Sequence, residues 1–238
     1  MVRRYLRKVE IKGSNPFRST KKHLTKKVAV LFSGGKDSVY CTYLMIKKGF
    51  EPILISIIAK KYSLMFHYPN IKWTRLQAKT IGLKQYILKE DKNFENLKKL
   101  LKKLKVKGIA AGATYSNYQK ERIEKLAQEL KIKSYFPLWQ KKKNFLKKML
   151  REMEVYISAV AAEGLEKKYL AQIYTPSLVE ELSKLKIPIN IFFEGGEGET
   201  FVADAPIFKK RILIKKWKIE FKGQSGFAYI LDAKLVKK

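Results

Sequence analysis

The 238-residue chain carries 52 lysines and arginines against 21 aspartates and glutamates, a formal charge of +31. Its hydrophobic content of 46% supplies enough apolar side chains for a core, which excludes a wholly disordered chain despite that charge. No apolar run approaches the ~20 residues of a membrane span, the basic start lacks the apolar stretch of a secretory signal, and the single Cys41 excludes an internal disulfide, a CxxC pair or a cysteine zinc site, so a cytoplasmic globular protein is expected.

Residues 1–27 hold ten Lys or Arg and one acid, Glu10, with little periodicity, and read as a basic N-terminal extension. The first strong signal is VAVLF (28–32), a continuous apolar run of the kind found in buried parallel strands. It leads through SGGKDS into a helical segment whose Val39, Tyr43 and Ile46 share a face and which stops at Gly49. A strand at PILISII (52–58), a helix over 70–82, a strand at QYILK (85–89), a leucine helix over 96–105, a strand at GIAAGA (108–113) and a helix through QKERIEKLAQELK follow. This alternation predicts a doubly wound, mostly parallel α/β sheet over residues 28–140, with its ligand at the carboxyl ends of the strands. Beyond KSYFPLWQKKK the rhythm changes. A helix near NFLKKMLREM, a strand at VYISAVAA, a helix near PSLVEELSKL and strands at INIFF, ETFVADAP, RILIKKWKIEFK and FAYILDAKLV predict a smaller α+β domain over 141–238.

SGGKDS (33–38) stands where a phosphate-binding loop has to stand, between a buried strand and a helix. Gly34 and Gly35 let the backbone approach phosphate oxygens without a Cβ in the way. Ser33 and Ser38 offer hydroxyls, Lys36 a charge, and the helix its N-terminal N–H groups and positive dipole end. Asp37 beside an anion site makes sense as a ligand for Mg²⁺ or as a helix-capping acid. The spacing is neither GxxxxGK[ST] nor GxGxxG; it resembles the SGGxDS loop of the ATP pyrophosphatases, which cleave ATP between the α and β phosphates and grip the departing pyrophosphate.

Further segments recur in a particular order: MFHYPN (65–70), GATYSNYQKERIE (112–124), PLW (137–139), AVAAEGL (159–165), EGGEGETFVADAPIF (194–208) and the closing GQSGFAYILDAKL. Together with the loop they resemble the diphthine–ammonia ligase family over residues 28–238. The resemblance implies an adenine nucleotide alpha hydrolase-like fold and the amidation of diphthine on translation elongation factor 2. ATP with Mg²⁺ would adenylate the diphthine carboxylate, and ammonia from ammonium would displace AMP. It assigns Lys36, Asp37, Glu197 and Glu199 to catalysis and Ser33, Gly34, Gly35, Lys36, Asp37 and Ser38 to the nucleotide. His67, Tyr118, Gln119, Arg122 and Glu194 fall to the substrate region. Glu194, Glu197 and Glu199 have three roles open to them, namely binding the trimethylammonio end, holding ammonium or orienting partner groups. Phe193 and Gly198 depart from the family pattern, which has Gly before the first Glu and an aromatic before the last.

The charge admits two readings. Only eight of the basic residues are Arg, and Arg is the usual choice for bidentate phosphate or base recognition. In NLKKLLKKLK the lysines fill the solvent face of an amphipathic helix. A compositionally basic surface and a surface suited to RNA or the ribosome both fit. Two rival functions remain at this stage. A tRNA-modifying ATP pyrophosphatase explains the charge but leaves EGGEGETF without a purpose, and a nucleotide-regulated RNA- or ribosome-binding protein leaves the intact Lys36, Asp37 and Ser38 without one.

Overall fold

The computed structural model describes residues 26–58 and 70–238, so His67 and most of the basic N-terminal extension lie outside the described residues. Strand β1 (Lys27–Leu31) forms from β-branched and small apolar residues whose Val28, Ala29 and Val30 are fully buried. It pairs in parallel with β2 (Glu51–Ile58) on one side and with β4 (Gly108–Ala110) on the other. β3 (Gln85–Lys89) and β5 (Lys133–Tyr135) complete a five-stranded parallel sheet in the order β3-β2-β1-β4-β5. Helices α1 (Lys36–Lys47) and α2 (Thr74–Ile81) cover one face; α3 (Glu95–Leu104) and α4 (Asn117–Glu129) cover the other. This is the expected doubly wound arrangement, and the strand order reverses between β1 and β4, which is where such folds bind ligands.

Three local expectations change. The apolar run 108–113 stays in the sheet only to Ala110, because at Gly112 the chain passes so close to α1 that a Cβ there would lie 2.6 Å from the Asp37 carbonyl carbon. KSY (133–135) joins as an edge strand that its short polar sequence does not announce. INIFF is not a strand. Asn190 closes a turn by accepting the Phe192 amide on its side chain and the Phe193 amide on its carbonyl, and this turn, with Phe192 and Phe193 both buried, takes the place of the strand.

The second layer comprises α5 (Lys143–Glu152), β6 (Glu154–Val160), α6 (Pro176–Leu182) and three further strands, β7 (Gly198–Asp204), β8 (Arg211–Lys222) and β9 (Ser225–Val236). Their sheet is antiparallel in the order β7-β6-β9-β8. One hydrophobic core, running from Val28 and Met45 to Phe201 and Ile230, joins this sheet to the α1–α2 face of the first. Polar side chains fix the alignment. The Asn70 amide donates to the Ala228 carbonyl and accepts the Ile230 N–H, the Trp73 indole donates to the Ile230 carbonyl, and Thr80 both donates to and accepts from Lys210.

Candidate active site

The loop after β1 holds its shape through its own serines and glycines. Gly34 sits at φ +82, a left-handed conformation that glycine adopts without strain. A Cβ there would fall 2.3 Å from Gln77 Oε1. Ser38 Oγ accepts the Gly34 N–H at 3.0 Å and donates to the Gly35 carbonyl at 3.0 Å, and Ser33 Oγ accepts the Gly35 N–H at 3.4 Å. Gly35 then caps α1 with extended backbone.

The loop is buttressed from the second sheet. The Lys36 backbone N–H donates to Thr200 Oγ1 at 3.0 Å, and the Val202 N–H donates to the Gly34 carbonyl at 3.1 Å. The buried Gln77 amide donates to the carbonyls of both Gly34 and Val202, tying α2, the loop and β7 together. Lys36 is only 2% exposed, and its ammonium donates to Asp37 Oδ2 and to the Phe192 carbonyl, each at 2.7 Å, with the Phe193 ring 5.8 Å away. A buried ammonium needs such partners. The irregular 189–193 segment therefore delivers a carbonyl to the site where a strand would have spent it on a ladder.

The cleft between these parts holds about 860 Å³ of empty space, part of it open to solvent. Ser33, Lys36, Asp37, Ser38, Glu194 and Glu199 supply its main polar lining, with Thr200 and Gln119 completing it; Phe32, Ile55, Ile57 and Ile123 form an apolar wall. Glu194 Oε1 accepts both the Thr114 N–H at 2.7 Å and the Thr114 hydroxyl at 2.6 Å. Burial, followed by the Asp37 charge, pushes the Glu194 carboxyl above the usual range, while the Thr114 bonds and Lys36 pull it back. Asp37 Oδ1 is a buried acceptor without a hydrogen-bond partner among the described residues. Such an orphan oxygen, aimed at a phosphate-sized cleft, fits one protein ligand for a Mg²⁺ that also binds phosphate oxygens. Among the described residues no three metal-ligating side chains converge.

The remaining sequence-predicted residues divide. Gln119 lines the cleft. Glu197 turns back to accept the Gly195 N–H at 2.7 Å and is not part of the cleft lining. Tyr118 is 47% exposed and accepts a hydrogen bond from Arg122, whose guanidinium lies 4.6 Å from the Phe94 ring centroid, in a separate groove beside α3. Cys41 is buried, and that burial pushes its thiol up and leaves it protonated, unsuited to nucleophilic work. Thr200 stands directly after the last glutamate of EGGEGET and was within reach of the motif reading. Thr114 and Gln77 carry no sequence signal of their own.

Two family models match the chain, the diphthamide synthase N-terminal domain over residues 26–134 and the diphthamide synthase C-terminal domain over 141–236. The diphthine–ammonia ligase of Homo sapiens is 30% identical over 239 residues, covering 85% of this chain and 88% of its own. That of Rattus norvegicus is 30% identical over 250 residues, covering 88% and 90%. The Schizosaccharomyces pombe enzyme of the same name is 30% identical over 224 residues, 79% of this chain and 36% of the longer relative.

Proposed function

The chain belongs to the diphthamide synthase family of ATP-dependent ligases, and we propose that it amidates diphthine on translation elongation factor 2, in the cytoplasm, by way of an acyl-adenylate. The observation that carries this reading is the convergence of the SGGKDS loop with Glu194, Glu199 and Thr200 in a single cleft at the switch point of the parallel sheet. A carboxylate resists attack because its oxygen is a poor leaving group, and adenylation supplies a better one. The protein then contributes position and charge.

In this reading Ser33, Gly34, Gly35 and Ser38 shape the pyrophosphate cradle at the start of α1. Lys36 places a positive charge beside it, and Asp37 holds Mg²⁺, which when bound neutralises phosphate charge. The apolar wall of Phe32, Ile55 and Ile57 accepts the nucleoside. Glu199, on β7, and Glu194, in the turn before it, face the same cleft, where a carboxylate collects ammonium and takes its proton so that neutral ammonia can attack. Ammonium is a cation until that proton leaves, which is why carboxylates suit the acceptor half of the site.

The test is one reaction containing the purified protein, Mg·ATP, ammonium and diphthine-bearing elongation factor 2. AMP is followed by chromatography and the modified peptide by mass spectrometry. Stoichiometric AMP with carboxylate-to-amide conversion is expected. AMP without the amide overturns the acceptor assignment, and absence of both overturns the reaction.

A further inference from the structure

A parallel sheet has two chemically different edges. The carboxyl edge of this one holds the cleft, and in the two connections at the switch point, 32–36 and 111–117, the only charged residue is the buried Lys36. The amino edge is built differently. Residues 26–27 and the connections from the last helical turn to the next strand (44–51, 78–85, 101–108 and 126–133) contain twelve lysines and two glutamates, against 52 basic and 21 acidic residues in the whole chain. All twelve lysines are exposed, and none forms an ion pair with a described residue. Of the two acids, Glu129 is paired with Lys98 at 2.8 Å.

Helix dipoles account for part of this. Lys47, Lys79, Lys102 and Lys103 lie in last turns, where a cation is stabilised by the helix terminus. The rest lie in connectors or on strands. Three of them, Lys27, Lys107 and Lys133, enter neighbouring strands side by side: the Lys107 N–H donates to the Lys27 carbonyl at 2.9 Å and the Lys133 N–H to the Lys107 carbonyl at 3.2 Å. Their backbones are thus one strand spacing apart, about 4.8 Å, and because Lys133 is level with Gly108 rather than with Lys107 the three charges spread over both faces of the edge, where they can meet the phosphates of a nucleic acid.

We propose that this amino edge is a docking surface for the phosphate backbone of a nucleic acid, bound without regard to sequence and facing away from the catalytic cleft. Lysine without arginine is the composition of phosphate contact rather than of bidentate base reading. Protein interfaces rely on arginine and aromatic anchors, and these connections contain no arginine. No large exposed hydrophobic residue falls in these connections, so nothing here inserts into a bilayer. The proposal is independent of the amidation reading, since no cleft residue takes part in it.

The experiment is fluorescence anisotropy of the full chain with labelled 20-base-pair RNA and DNA duplexes across 50–200 mM salt. Two variants with the same change in net charge are compared. One is K27E/K107E/K133E; the other, K167E/K186E/K237E, alters exposed lysines elsewhere. The wild type is expected to bind duplex with a steep salt dependence. The edge variant should bind at least tenfold more weakly than the control variant at equal salt, its log–log slope reduced by about three. Binding of RNA but not DNA, or of both, identifies the source within the proposal. Equal losses in the two variants would mean diffuse charge and overturn it, as would binding to anionic phosphatidylserine vesicles without duplex binding, or no duplex binding at all. Thermal unfolding by circular dichroism checks that each variant is folded. K27Q/K107Q/K133Q serves if the charge reversal is not, with the same direction expected.

Discussion

Thr200 Oγ1 accepts the backbone N–H of Lys36 at 3.0 Å, joining residues 164 positions apart at the first turn of α1. The helix N-terminus that would receive an anion is thus completed by a side chain from the other sheet. Thr200 lines the cleft, and its hydroxyl hydrogen has no acceptor among the described residues, so it is placed to donate to a phosphate oxygen. Thr200→Val keeps the shape, removes that donor and strips the Lys36 N–H of its partner. Pyrophosphate affinity by calorimetry should fall about tenfold, AMP affinity should change little, and Thr200→Ser should restore most of the loss. Unchanged pyrophosphate binding in Thr200→Val would assign the hydroxyl a purely architectural role.

Gly112 tests the close approach of the other half of the switch point. A Cβ at this position meets the Asp37 carbonyl carbon at 2.6 Å and its carbonyl oxygen at 2.7 Å, both backbone atoms that cannot rotate away. Gly112→Ala should therefore separate the end of β4 from α1. The denaturation midpoint should drop by the equivalent of about 1–3 kcal/mol, the usual cost of overpacking, and nucleotide affinity should drop with it.

The parallel half of the fold was legible because its signals are local. VAVLF followed by SGGKDS encodes a buried strand, an anion loop and a helix start within eleven residues. The edge strand at 133–135 escaped because three residues, one of them lysine, carry no periodicity. INIFF was misread because apolar runs mark burial, not strand geometry; here burial of Phe192 and Phe193 serves a turn that presents a carbonyl to Lys36. Thr114 and Gln77 were invisible for a different reason. Their partners are Glu194, Gly34 and Val202, and nothing in a single sequence states that positions 43 to 125 residues apart meet. Arg122 and Tyr118 sit on the expected helix and bond to each other; Arg122 lines the groove beside α3, and neither is among the residues lining the cleft.

Glu194 makes a pH prediction whose sign follows from its surroundings. Burial and the Asp37 charge raise its carboxyl in the folded protein, so the native state holds this proton more tightly than the unfolded chain does. Its contribution to stability is fully present below the ordinary carboxylate value and is lost as pH rises through the folded one. Glu194→Gln keeps an oxygen for the two Thr114 bonds and has no charge to desolvate. The variant should be more resistant to denaturant than wild type at pH 7, with the gap closing toward pH 4, while amide formation followed by mass spectrometry should be lost at both. A gap that is the same at both pH values would show that ionisation of Glu194 does not set its cost.

Asn70 separates the assembly of the two sheets from the chemistry between them. It holds a left-handed backbone at φ +64, which asparagine tolerates better than most residues. Its buried amide serves both the Ala228 carbonyl and the Ile230 N–H on β9. Asn70→Gly preserves the backbone and deletes the amide. Two buried main-chain groups then lose their partners at about 1–3 kcal/mol each. The unfolding midpoint should fall accordingly, and Asn70→Ala should cost more because it adds the left-handed strain. Because β9 pairs with β6, and β6 with the β7 strand that carries Thr200, slackening this clamp should also raise the KM for ATP more than it lowers kcat. A midpoint shift without any change in KM would confine Asn70 to stability and show that β7 holds the loop without help from β9.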